Sequence, residues 1–137
     1  MKRLLIILVI IIAITIIFTG CTTMEKNHTV TETSYKKISA EEAKEIIESE
    51  DVTILDVRTQ EEYNEGHIEN SVLLPVNDIS AKAEEILTDK DAKILVYCRS
   101  GNRSASASKQ LIKMGYTNVY DFGGMNSWPY EIIKAAK

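Results

Sequence analysis

The feature that most constrains this chain is the run Ile94-Leu95-Val96-Tyr97. Four apolar residues in succession cannot alternate between core and water. As a strand, the run must be covered on both faces, which is the signature of a parallel sheet flanked by helices. Val52-Thr53-Ile54-Leu55 reads the same way, and Val72-Leu73-Leu74 and Asn118 to Tyr120 are briefer strand signals. Helix signals lie between them. Ser39-Ala40-Glu41-Glu42 and Thr59-Gln60-Glu61-Glu62 are capping boxes, the first opening a helix to about Ser49, the second a short one that Gly66 ends. Asp78 to Leu87 and Ser104 to Met114 have amphipathic spacing, Gly115 stops the latter, and Ile132-Ile133 is expected in a terminal helix. Strands spaced by helices imply an open α/β sheet, mostly parallel, with helices on both faces. Such sheets place ligands beyond the carboxyl ends of their strands. The loop that begins at Cys98 is therefore where a site is expected.

The domain occupies residues 35–137, and what precedes it is of another kind. Lys2 and Arg3 lead into an apolar run from Leu4 to Phe18, broken only by Thr15. That is short for a bilayer span, which needs about 20 residues, but fits the apolar core of an export signal. Phe18-Thr19-Gly20-Cys21 resembles a bacterial lipoprotein signal, with Phe18 where leucine is commonest. The resemblance implies cleavage of residues 1–20 and a diacylglyceryl group on Cys21; an uncleaved anchor is the alternative. Either way the domain is expected at the cell membrane, tethered on its extracytoplasmic side. Residues 21–34 are polar and threonine-rich and read as a flexible spacer, in which His28 is idle.

Loss of residues 1–20 removes Lys2 and Arg3, leaving 14 basic against 20 acidic groups, a net charge of −6. A net-negative domain without a long Lys/Arg run is poorly suited to nucleic acid. No Cys, His or carboxylate cluster has metal-ligand spacing, so no metal or cofactor is expected. Only two cysteines are present, and the signal claims Cys21. Cys98 is thus a solitary thiol in an exported protein, where it invites oxidation or mispairing and needs a reason to exist.

Cys98-Arg99-Ser100-Gly101-Asn102-Arg103-Ser104 joins a buried strand to a helix. A helix N-terminus presents unpaired N–H groups and favours negative charge. Gly101 and Asn102 tolerate the backbone angles that curl a loop into an anion nest, and Arg99 and Arg103 add positive charge. All three effects favour thiolate over thiol. The six residues after Cys98 include no large hydrophobe, which argues against an inert buried cysteine. The nest suits thiosulfate, a sulfinate, phosphate or arsenate. Tyrosine phosphatases use Cys-x5-Arg, whereas here position 104 is serine and Arg103 comes one residue early. That shorter cradle fits a terminal persulfide sulfur better than a phosphate monoester.

From about Ile38 to Ile133 the chain resembles a single-domain rhodanese. The resemblance rests on Ile54-Leu55-Asp56-Val57-Arg58, Glu62-Tyr63, Gly66-His67-Ile68, Ser71, Pro75, the Cys98–Arg103 loop, Asp121-Phe122-Gly123-Gly124-Met125 and Trp128-Pro129, in that order. Glu69-Asn70 depart from the small pair frequent after Gly-His-Ile. The resemblance implies about five parallel strands and a sulfurtransferase cycle through a Cys98 persulfide. The donor would be a small anion such as thiosulfate, the acceptor cyanide or a thiol. The amides of residues 99 to 103 would bind the persulfide and the departing anion. Arg99 and Arg103 would attract the donor, and Arg103 could also fix the loop. Asp56 is expected to accept N–H groups of that loop, Arg58 to hold Glu62 or a neighbour, and Ser104 to support the loop. His67 is read as structural, Gly123-Gly124 as sites of close backbone approach, and Trp128 as core. Three alternatives stay open: a persulfide carrier, a docking module, and a Cys-Arg phosphatase or arsenate reductase.

Overall fold

The computed structural model describes residues 34–134. The expected signal, Cys21, the spacer up to residue 33 and His28 lie outside the described residues. Five strands, β1 (Lys36–Lys37), β2 (Thr53–Asp56), β3 (Val72–Leu73), β4 (Ile94–Cys98) and β5 (Val119–Gly124), form one sheet in the order β1-β5-β4-β2-β3. Every pairing is parallel. The helices are α1 (Ala40–Ser49), α2 (Gln60–Glu65), α3 (Ile79–Ile86) and α4 (Asn102–Lys113), with 3-10 turns at Val76–Asp78 and Met125–Ser127. No helix among the described residues is long and apolar enough to cross a membrane.

The central strand β4 is buried along its whole length. Successive side chains go to opposite faces. Ile94, Val96 and Cys98 join Ala83 of α3 and Ala107 and Leu111 of α4 on one face. Leu95 and Tyr97 join Ala43 of α1, Phe122 and Trp128 on the other. Helices cover both faces as expected, and Trp128 packs at the edge of the second core. Thr59 and Glu62 form both halves of their capping box, whereas at Ser39 only the hydroxyl bond to the Glu42 N–H forms.

Two elements differ from expectation. The edge strand β1, at Lys36–Lys37, pairs in parallel with Tyr120 and Asp121, and the Lys36 ammonium lies over the Tyr120 ring, 5.3 Å from its centroid. Two exposed lysines carry no apolar signal for such a strand. Ile132 and Ile133, expected in a terminal helix, are not helical, and no helix follows them among the described residues. Trp128, held extended (φ −91°, ψ 105°) before Pro129, leads into a strap. There the His67 and Ile133 amides each donate to the other's carbonyl, both at 2.8 Å.

Tyr97 ties the sheet to the turn after α2. Its buried hydroxyl donates to Ser71 Oγ and accepts the Ile68 N–H, each at 3.2 Å. Tyr97→Phe leaves that N–H without its partner, and an unsatisfied buried group costs about 1–3 kcal/mol. Urea denaturation should show a loss of that size; an unchanged midpoint would contradict it.

Candidate active site

Cys98 ends β4, and its side chain points to the α4 face with no exposed surface. What surrounds the sulfur decides its chemistry. The chain curls after Ser100, and Gly101, at φ 101°, takes the left-handed conformation that favours glycine. This turns the Gly101 N–H onto Sγ at 3.0 Å. Burial alone would push the thiol up. The backbone N–H groups of Ser104, Gly101 and Ser100, together with the Ser104 hydroxyl, outweigh it and hold the thiol below its ordinary value. Sγ lies 3.7 Å from Ser104 Oγ. The thiol can donate to that oxygen, and the hydroxyl can turn to donate to a thiolate. Otherwise Ser104 Oγ donates to the carbonyls of Gly101 at 3.0 Å and Gly123 at 3.2 Å, within the loop and across to β5.

Two further contacts fix the loop. Gly124 pairs with Cys98 across the sheet, and a Cβ on it would fall 2.2 Å from the Arg99 carbonyl oxygen. The close approach expected at Gly123-Gly124 is therefore present at Gly124 and not at Gly123, where a Cβ would meet nothing within 4 Å, and the Asn126 N–H bonds the same Arg99 carbonyl at 3.1 Å. On the other side, Arg103 grips Glu62 through two bonds of 2.6 and 2.8 Å. Glu62 also accepts the Thr59 N–H at 3.1 Å. The Arg103 guanidinium first, then the Thr59 amide, draw the Glu62 carboxyl down to about 2 against the opposing effect of burial. Arg103 therefore fixes the loop, and its charge is already matched by a carboxylate. Arg99 has no acidic partner within ion-pair distance among the described residues. Ser100 and Asn102 are exposed at the rim.

The Asp56 and Arg58 expectations need correction. Asp56 accepts no N–H from the cysteine loop. It is wholly buried and accepts from the Arg58 backbone at 2.9 Å and from its guanidinium at 2.6 to 3.0 Å. Arg58 bonds Asp56 and the Gly66 carbonyl, at 2.7 Å, and leaves Glu62 to Arg103. Asp56 ends β2 only two residues before Arg58, so this nearest cation takes both carboxylate oxygens before they can reach across to the loop. His67 is structural, as expected: it stacks on Tyr63 with ring centroids 3.7 Å apart and Nδ1 2.9 Å from the Tyr63 carbonyl. Two participants were not anticipated. Asp121, nearly buried, accepts the Gly123 N–H at 3.0 Å within a β5 irregularity, and Ile132 lines a cavity beside Arg99. An aspartate two residues before a Gly-Gly pair was the available signal for the first; nothing local marked the second.

Residues 39–130 match the rhodanese-like domain family. The chain belongs to that family. A thiosulfate sulfurtransferase, GlpE of Coxiella burnetii, is 38% identical over 95 residues, covering 69% of this chain and 87% of the relative. A solved rhodanese-related protein from Thermoplasma volcanium superposes with a TM-score of 0.64 at 34% identity, over 72% of this chain and 98% of that one. A rhodanese-like domain protein from Staphylococcus aureus gives 0.64 at 33%, over 74% and 99%. The five-stranded parallel sheet with helices on both faces is the rhodanese fold these neighbours share.

The Glu62–Arg103 clamp makes a pH prediction for this rhodanese-like domain. A carboxyl lowered from 4.5 to about 2 contributes stability that is complete above pH 4.5 and lost as pH falls towards 2. Glu62→Gln should lose less stability across that window than the wild type does. Urea midpoints that fall in parallel with pH in the two proteins would show that the clamp carries no such dependence.

Proposed function

We propose that this domain is a sulfurtransferase that carries sulfane sulfur as a persulfide on Cys98. The observation that supports it most is the ring of amides turned onto a buried, solitary sulfur. In the first step the Cys98 thiolate attacks the outer sulfur of an anionic donor such as thiosulfate. A new Sγ–S bond forms, the donor's S–S bond breaks, and the electron pair leaves on sulfite. In the second step a thiolate or cyanide attacks that outer sulfur, and the pair of the broken bond returns to Sγ. Two transfers thus replace one, and the loop amides stabilise the anion at each stage. Once formed, the persulfide sets the reactive atom about 2 Å beyond Sγ.

The name of GlpE, a thiosulfate sulfurtransferase, supports this donor class. A phosphatase cradle is less well served. Arg103, one position early for that signature, is bound to Glu62 instead of facing the loop's centre.

Thiosulfate with cyanide should yield thiocyanate, and Cys98→Ala should abolish this without altering the circular dichroism spectrum. Turnover of a phosphate monoester without any thiocyanate would contradict the assignment. The sequence supports one further part of the proposal: the Lys2-Arg3 start, the Leu4–Phe18 run and Cys21 anchor the protein by lipid on the extracytoplasmic side of a bacterial membrane. Cys21→Ser should then move it from the membrane to the soluble fraction, whereas unchanged membrane partition would favour an uncleaved anchor.

A further inference from the structure

The rhodanese-like sheet reverses its strand order between β2 and β4, since β2 leads outward to β3 and β4 to β5. Open α/β sheets bind ligands in the crevice at such a point. Here the crevice is a cavity of about 190 Å³ lined by Arg58, Glu62, Arg99, Met125 and Ile132, among others. It is small beside the roughly 300–1,000 Å³ of sites for drug-sized molecules. Its charges are not equivalent. Arg58 is matched by Asp56, and Glu62 by Arg103, which leaves one charge of each sign, Arg99 and Glu65, on the lining. Its apolar wall is Met125 and Ile132. Ile132 is 40% exposed, a large aliphatic side chain kept at an opening.

Ile132 is also held in place. The strap that carries it is pinned by the two His67–Ile133 backbone bonds. Its side chain lies over Gly66, where a Cβ would come within 2.7 Å of Ile132 Cδ1. Gly66 in turn is tethered by its carbonyl to Arg58. A fixed aliphatic wall at the opening of so small a cavity admits a molecule with a short carbon skeleton and collides with a bulky one.

Resting on the sulfurtransferase reading, we propose that Ile132 is a specificity-determining residue that selects small organic thiols as acceptors and excludes bulky ones. The acceptor thiolate, its carbon skeleton against Ile132, attacks the outer persulfide sulfur. The bond from that sulfur to Sγ breaks, its electron pair returns to the Cys98 thiolate, and the acceptor leaves as a persulfide anion.

The test measures kcat/KM with saturating thiosulfate for three acceptors: cyanide, 3-mercaptopropionate and glutathione. Ile132 is exposed enough for Ile132→Ala and Ile132→Trp to keep the fold. Ile132→Ala should raise the glutathione-to-cyanide ratio roughly tenfold, the lower end of what one or two methylenes discriminate in a pocket. Ile132→Trp should lower the 3-mercaptopropionate-to-cyanide ratio by a similar factor, with cyanide nearly unchanged. A second cavity, of about 350 Å³, adjoins the opposite side of the loop at Lys37, Ser100 and Asn102. Lys37→Gln should leave both ratios as they are. Ratios unmoved by the Ile132 variants, or moved by Lys37→Gln alone, would overturn the proposal while cyanide turnover keeps the sulfurtransferase reading intact. A wild type that forms no thiocyanate would overturn both.

Discussion

The structure turns on one interaction, the convergence of backbone N–H groups on the sulfur of Cys98. Burial works against ionisation of a thiol, and this one is completely buried among core residues. Had the neighbouring amides pointed elsewhere, Cys98 would be an inert cysteine filling space. Instead Gly101, Ser100 and Ser104 aim donors at it, and their combined effect reverses the effect of burial. Backbone dipoles held in a low-dielectric site act strongly and need no reorganisation when charge moves. The same donors that favour the thiolate are placed to favour a persulfide anion.

That convergence depends on supports lying outside the loop. Gly124 lets β5 pass against the Arg99 carbonyl where any side chain would collide. Ser104 ties the loop to Gly101 and Gly123, and Glu62 seizes Arg103 from the far side of the crevice. Glu62 is fixed in turn by capping its own helix. The buried Asp56–Arg58 pair anchors a second chain of contacts, through the Gly66 carbonyl to the strap bearing Ile132. Removing one partner of such a pair exposes the other charge to a low-dielectric setting, at a cost of about 3–5 kcal/mol. Loop and strap are thus two walls of one opening, braced from opposite ends of α2.

Much of this was legible in the sequence, for identifiable reasons. Strand β4 was plain because all its residues are buried, and α2 because its capping box is local chemistry. The cysteine loop was visible because glycine, asparagine and serine crowded at a strand–helix junction suit an anion nest and contribute nothing to a core. What was hidden is long-range. Two lysines give no hint that their backbone extends a sheet. Ile132-Ile133 looks helical until Pro129 and the pairing with His67 take precedence. The expected charge pairings failed for the same reason. Sequence shows which arginines and carboxylates exist, but not that Arg103 lies across from Glu62 while Arg58 folds back on Asp56. Positive charge near Cys98 was visible; that amides dominate its effect on the sulfur was not.

The most direct test of that claim is the pH dependence of Cys98 alkylation by iodoacetamide in the wild type and in Arg99→Gln, which removes the unmatched charge without touching an amide. The account predicts a midpoint below that of an ordinary thiol in both proteins. A wild-type midpoint at or above the ordinary value, or one restored to it by Arg99→Gln, would show that the backbone ring does not ionise the sulfur.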